Sequence, residues 1–335
     1  MSAPKIIKPE SEPCWQYPCL TEKQAFINHE NNYLCEEEGL YFAFPWASLV
    51  DFLNFRFGVT SFEDFFESDK VKDYLVLEIA KNVYLDLIRR SNTHTVCQHI
   101  HWKKLLGFWE YLGIKNIHLS HLTKSIKNNS IASFSPWHLI APNAEIPVRN
   151  KGLRTKSTKD KKYLCSFVGA ILNNYRSDIR HKLESTFTSA NKNKLRKDVV
   201  FQVKNRWFYD GAVYTLQVRG LNLDPSYLES HALETKNFNE TVSDSLFVAC
   251  PEGSGPNTLR IWESMSVGSI PILFENDWER PTLDGLSWDD FSFTIEYNKV
   301  NDLFNFLNEI PDSLIEEMSR NCINAYNEFR IRTCF

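Results

Sequence analysis

The residues best suited to chemistry in this 335-residue chain lie between Pro251 and Leu273, in the stretch PEGSGPNTLRIWESMSVGSIPIL. Gly253 and Gly255 flank Ser254 between two prolines, and Arg260 and Glu263 follow at a spacing that puts them on one helix face. Glycines at such a turn permit positive φ and let a ligand approach the main chain closely. With Asn257 as its cap, the helix that follows would turn unpaired N–H groups and the positive end of its dipole toward the loop. A diphosphate could sit there with Arg260 as a bidentate partner, and Glu263 could accept hydrogen bonds from the two hydroxyls of a ribose. The competing reading is a plain turn followed by a surface ion pair of little worth. The spacing matches neither the Walker loop nor the GxGxxG fingerprint.

A second stretch, SFVGAILNNYRSDIRHKL, repeats the arrangement: a strand, Gly169, a polar loop, then a helix with Arg176 and Arg180 about its first turn. Basic residues at a helix amino end oppose the dipole, so an anion bound there would explain them. Surface solubility is the alternative.

Strands and helices must carry these loops. In the first half, HTVCQHI reads as a strand, WKKLLGFWEYLG as a helix closed by Gly113, and KNIHLSH as the next strand. In the second, KYLCSFVGA is a strand, SDIRHKLESTF a helix capped by Ser177 or Asp178, and DVVFQV a strand. SLFVAC, NTLRIWESMSV and SIPILF then read as strand, helix and strand, with Gly268 ending the helix. Such alternation predicts parallel sheets with helices on both faces, hence an α/β chain of two halves with a cleft between them. RNKGLRTKSTKDKK, residues 149–162, reads as an exposed connector. The run 60–90 and the stretch PDSLIEEMSRNCINAYNEF read as helices, the latter with a capping box at Ser313 and Glu316.

Composition narrows the class. Hydrophobic residues make up 43% of the chain, ample for packed interiors, and a net charge of −4 offers no reason to expect nucleic-acid binding. The eight cysteines have no metal-ligand spacing and read as buried thiols. No apolar run reads as a signal peptide or a spanning helix, so the expectation is a soluble cytoplasmic protein with at most peripheral membrane association.

The stretch SLFVACPEGSGPNTLRIWESMSVGSIPILFENDWERP resembles the donor-binding half of exostosin-like glycosyltransferases. Their pattern is a strand, C-P-x-G, a short loop, R-x-x-E, a small-residue helix end and G-x-x-P-[VI], carried here by Cys250, Pro251, Gly253, Arg260, Glu263, Gly268 and Pro271. SFVGAILNNYRSDIR is similar to the family's G…R segment, which implies a nucleotide-diphosphate contact for Arg180 and, less directly, Arg176. The likeness extends over residues 162–329; the first half is less diagnostic. It implies a GT-B fold of two Rossmann-like domains facing a central cleft: an acceptor domain at 1–150, a donor domain at 151–310, and a helix at 311–335 that crosses back. It also implies an inverting transferase using a nucleotide sugar, UDP-linked, as co-substrate, with a glycan or lipid-linked glycan acceptor. The family's GT-B enzymes generally hold no metal, and WDDF, with Asp289 and Asp290, reads as a loop or helix cap. Without an apparent anchor, the chain looks more like cytosolic members of bacterial or viral surface-glycan pathways.

An inverting displacement needs a base at a strand end of the first half. His99 and His101 follow the strand in HTVCQHI, and His121 follows the next one; each also has a structural or solvent-facing reading. Asp178 and Glu252 are alternatives on the donor side, and Glu279 could touch the donor sugar. Against the enzyme stands a degenerate transferase that binds glycan or nucleotide as an assembly partner.

Overall fold

The computed structural model describes residues 6–7, 15–16, 19–31, 39–52, 88–89, 92–126, 132–211, 213, 215 and 221–332. The helix expected over 60–90 lies outside these residues except at 88–89, as do Cys14, Cys35 and Cys334. In chain order the first half contains β1 (Ile6–Ile7), α1 (Thr21–Asn31), β2 (Leu40–Phe42), α2 (Trp46–Phe52) and β3 (Thr93–Cys97). A short 3₁₀ turn then leads into α3 (Leu106–Leu112), followed by β4 (Asn116–Leu119), β5 (Ser133–Pro136) and α4 (Pro142–Glu145). The five strands pair in parallel in the order β1-β2-β3-β4-β5. β3 is buried at every position, as expected of a parallel strand covered on both faces. It is shorter than HTVCQHI suggests, which leaves Gln98 and His99 in the turn beyond its carboxyl end. Gly113 closes α3 in the left-handed region, at φ +74°.

The second half runs β6 (Tyr163–Ala170), α5 (Ile179–Ser189), β7 (Asp198–Lys204), α6 (Pro225–Ser243), β8 (Ser245–Ala249), α7 (Leu259–Met265), β9 (Ile270–Phe274), β10 (Phe293–Ile295), α8 (Leu303–Glu309) and α9 (Asp312–Arg330). Its sheet is also parallel, in the order β10-β9-β8-β6-β7. α6 is a long helix that the sequence reading passed over, although Asp224 caps it and Pro225 opens it. Two parallel α/β sheets, each with its own apolar core, form the GT-B architecture. Their carboxyl edges meet. Ile100 and His121, beyond β3 and β4, touch Gly255 beyond β8.

Local expectations change in three places. Residues 149–162 are mostly exposed, but Lys161 is 1% exposed, and its Nζ donates to Ser243 O at 3.0 Å and Ser269 Oγ at 2.7 Å. Burial pulls that amine down to about 8. The connector is therefore pinned to the base of the second sheet. α9 begins after Pro311 with no side-chain cap, so the Ser313–Glu316 box does not form. Asp178 occupies the cap position of α5, but its carboxylate accepts from Tyr297 Oη rather than from a helix amide. At its far end α9 reaches first-half residues: Arg330 Nε donates to Glu145 at 2.7 Å, and Asn28 Nδ2 donates to Arg330 O at 2.9 Å.

Candidate functional site

Arg180 and Arg260 are buried together under the loops that follow β6 and β8. Arg180, on α5 and 6% exposed, gives Nε to Glu252 O at 2.9 Å, Nη1 to Ala170 O at 2.6 Å and Nη2 to Pro251 O at 3.3 Å. It also stacks over Tyr175, with 4.3 Å to the ring centre. Arg260, on α7 and 8% exposed, stacks over Phe167 at 4.7 Å and donates Nη2 to Val168 O at 2.7 Å. Its Nε and Nη1 are buried with no hydrogen-bond partner. Burial, reinforced by the charge of Arg260, pulls Arg180 down to about 10; burial likewise lowers Arg260. Two buried cations held mainly by carbonyls form a costly arrangement that a bound anion would relieve.

The glycines serve this packing. A Cβ at Gly169 would lie 2.4 Å from Arg260 Nη2, and one at Gly253 would lie 3.0 Å from Arg180 Nη2. Gly255 would meet His121 Nδ1 at 2.6 Å, so what it admits is the other half of the protein rather than a ligand. Neither Gly253 nor Gly255 has positive φ, which corrects the expected backbone role; Gly268 does, at +66°, just past α7. Ser254 is exposed.

Asn257 does not cap α7. Thr258 occupies the cap position, without a side-chain cap bond. The Asn257 amide instead donates to Ser120 O of the first half at 3.0 Å and accepts from Trp262 Nε1 at 3.0 Å. Asn257 is thus a tie across the two sheets. Further ties lie alongside: Lys124 N donates to Asp277 O at 2.7 Å and Glu279 N to Leu122 O at 2.9 Å.

Glu263 is 3% exposed and accepts from Asn143 Nδ2 at 2.7 Å; Asn143 in turn accepts from Arg149 Nε at 3.0 Å. Burial pushes the Glu263 carboxyl up to about 7, against the pull of Arg260. Arg176 is in a different setting from the other two arginines. It is exposed, with Nε on Glu252 Oε2 at 3.1 Å and Nη2 on Asp277 Oδ1 at 2.5 Å. Its charge is already met by carboxylates.

The three histidines separate by their partners. His99 is buried with both ring nitrogens engaged: Nδ1 accepts from His101 N at 2.9 Å, which makes Nε2 the donor to Asp51 Oδ1 at 3.1 Å. His101 is exposed beside it, and burial, then His99, lowers its pKa. His121 is buried against Gly255, its Nδ1 has no partner, and burial pulls it down to about 3. Asp51, Asn143 and Arg149 were missed as parts of this region, because their partners are far away in sequence and no local motif marks them. Among the described residues, no group of three His, Cys, Asp or Glu is placed to hold a metal ion. Asp290 closes a capping box with Ser287.

A buried guanidinium pair at the carboxyl edge of one parallel sheet, facing a second such sheet, defines a two-sheet α/β protein with a buried cationic site at that edge. The model of the exostosin GT47 domain matches residues 112–310, and the chain belongs to that glycosyltransferase family. A probable β-1,4-xylosyltransferase of Arabidopsis thaliana is 28% identical over 83 residues, covering 25% of this chain and 20% of the relative. A probable glucuronosyltransferase of Oryza sativa subsp. japonica is 29% identical over 83 residues, with the same coverage of 25% and 20%. The matched stretch spans about a fifth of each relative's length. Both are plant proteins and lend no support to a bacterial or viral subtype. The catalytic domain of starch synthase IV from Arabidopsis thaliana, bound to ADP and acarbose, superposes with a TM-score of 0.32. It is 14% identical, over 60% of this chain and 49% of that one.

Proposed function

We propose that this protein is an inverting glycosyltransferase that moves a sugar from a nucleotide sugar, UDP-linked, to a glycan or lipid-linked glycan acceptor in surface-polysaccharide synthesis. The observation that carries this reading is Arg260, buried beside Arg180 with two nitrogens unpartnered. In this reading residues 151–310 hold the donor, residues 1–150 take the acceptor, and 311–335 brace the two. Gly169 and Gly253 leave room for the guanidinium groups, and Ser254 and Gly255 continue the loop over the diphosphate. Arg260 and Arg180 stabilise the charge that gathers on the leaving group, and Glu263 accepts from the ribose. Arg176 joins them only if the diphosphate displaces one of its carboxylates.

The acceptor hydroxyl oxygen forms the new bond to the anomeric carbon as the bond to the diphosphate oxygen breaks. His121 takes the hydroxyl proton on Nδ1, which has no hydrogen-bond partner, once the Gly255 loop packed against it draws back to admit the acceptor. It is favoured over His99, whose ring is fully engaged, and over His101, which stands in solvent. At neutral pH the His121 imidazole is in its base form, and an anionic diphosphate nearby would raise its proton affinity. The described cysteines are unpaired and mostly buried, which supports a reducing compartment such as the cytoplasm.

Thermal-shift titration with UDP, GDP and CMP tests the reading, followed by nucleotide release from the matching sugar donor when acceptor is supplied. Stabilisation by one nucleotide with release is the expected outcome. Stabilisation with no release from any donor would leave the binding-partner alternative, and no stabilisation by any nucleotide would remove both.

A further inference from the structure

A cavity of about 370 Å³ opens at the carboxyl edge of the second sheet, beside the buried arginine pair. Arg176 and Ile179 line it beyond β6, Glu252 beyond β8, Glu275 and Asp277 beyond β9, and Tyr297 beyond β10. This is the edge at which parallel α/β sheets bind ligands, and the volume lies within the range of about 300–1,000 Å³ usual for small-molecule sites. We propose that this cavity binds an uncharged sugar ring and rejects a uronic acid. The inference deepens the transferase reading and rests on it for the identity of the reaction.

The charge of the lining decides the ligand class. One guanidinium faces three carboxylates, and Arg176 is already bonded to two of them, at 3.1 Å and 2.5 Å. Glu275 is exposed and forms no ion pair among the described residues. The flanking pair of Lys182 and Asp178, both contacting Tyr297, adds one charge of each sign and leaves the excess negative. A phosphate or a carboxylate would meet that excess, so the diphosphate belongs with Arg180 and Arg260, across the Glu252 main chain. Sugar hydroxyls, in contrast, are donors that carboxylates accept from. Ile179, Phe274 and the Tyr297 ring supply apolar surface for the C–H face of a ring, while Lys182 lies 4.0 Å from the Tyr297 ring centre. Carboxylates that accept from hydroxyls beside an apolar face fit a polyol.

The ring could belong to the donor or to the acceptor, and two arms of one experiment separate these sources. In the first, UDP-glucose and UDP-glucuronate are titrated calorimetrically into the full chain, with UDP as reference. In the second, methyl glucoside and methyl glucuronide are titrated by ligand-observed NMR without nucleotide. Each pair differs only in a hydroxymethyl group replaced by a carboxylate. At least tenfold tighter binding of the uncharged member is expected in one arm, and that arm names the source. Glu275→Lys should shrink the preference to twofold or less; Glu275→Gln, the milder change, should narrow it part of the way. Equal or tighter binding of the uronate in both arms would overturn the proposal. So would a preference unmoved by both variants, or no sugar binding in either arm. Failure of UDP itself to bind counts against the nucleotide reading, and the second arm still judges the cavity.

Discussion

Gly169→Ala is the most informative single change. The new Cβ would lie 2.4 Å from Arg260 Nη2 and 3.2 Å from Phe167 Cζ. Gly169 has no positive φ, so the backbone accepts alanine and the whole effect is steric. Nη2 must retreat by roughly 1 Å to reach ordinary contact. The Phe167 ring lies 4.7 Å from the guanidinium carbon, and Nη2 is bonded to Val168 O at 2.7 Å, so retreat costs that bond. Overpacking of this kind typically costs about 1–3 kcal/mol, and a charged hydrogen bond is worth about 1.5–3 kcal/mol. The two overlap here, so the expected loss of stability is about 1–3 kcal/mol by urea titration. Nucleotide affinity should fall by about tenfold or more, because the guanidinium whose Nε and Nη1 are buried and unpartnered is displaced. A double-mutant cycle with Arg260→Ala supplies the decisive reading: once Arg260 is gone, Gly169→Ala should cost almost no further affinity. Additive losses, or unchanged affinity in Gly169→Ala, would refute the steric link between this glycine and the anion site.

Arg260→Met should change the melting temperature little, since removal of a buried cation with two unpartnered nitrogens offsets the lost bond to Val168 O. The same variant should lose at least about tenfold in UDP affinity by calorimetry; a melting temperature that collapses together with affinity would assign Arg260 to the core instead. His121→Ala should lower kcat by about 10²-fold or more with little change in KM, whereas Asp51→Asn should act chiefly on stability; retained turnover in His121→Ala places the base elsewhere. Burial lifts the Glu263 carboxyl from its ordinary 4.5 to about 7, so the folded chain holds this proton more tightly than the unfolded one. The stability contributed is full below pH 4.5 and is lost as pH rises through about 7, so Glu263→Gln should flatten that decline in urea midpoints; an unchanged slope would show a carboxyl that does not titrate there.

The amino-acid sequence by itself determined the central strands of the second half and the helices α5 and α7 between them. Apolar runs of five to eight residues ending in Gly, Pro or polar turns have few alternatives to short parallel strands, and KYLCSFVGA, SLFVAC and SIPILF became β6, β8 and β9. The R-x-x-E spacing likewise placed Arg260 and Glu263 on one helix, because a helical turn is a local property of the chain. What the tertiary structure decided was every relationship across the two sheets. Asn257 has the residue type and position of a cap, but Ser120 O and the Trp262 indole compete for its amide, and it became a tie instead. Gly255 reads as a ligand-facing glycine until His121 is seen packed against it. His99, His101 and His121 are alike as letters; only the Asp51 carboxylate, solvent, and burial against Gly255 without a partner for Nδ1 distinguish them. Short-range periodicity follows from backbone geometry, which each segment carries within itself. Desolvation, charge and hydrogen-bond partnership depend on what arrives from elsewhere in the chain, and these are the quantities that turn an arginine into a binding site.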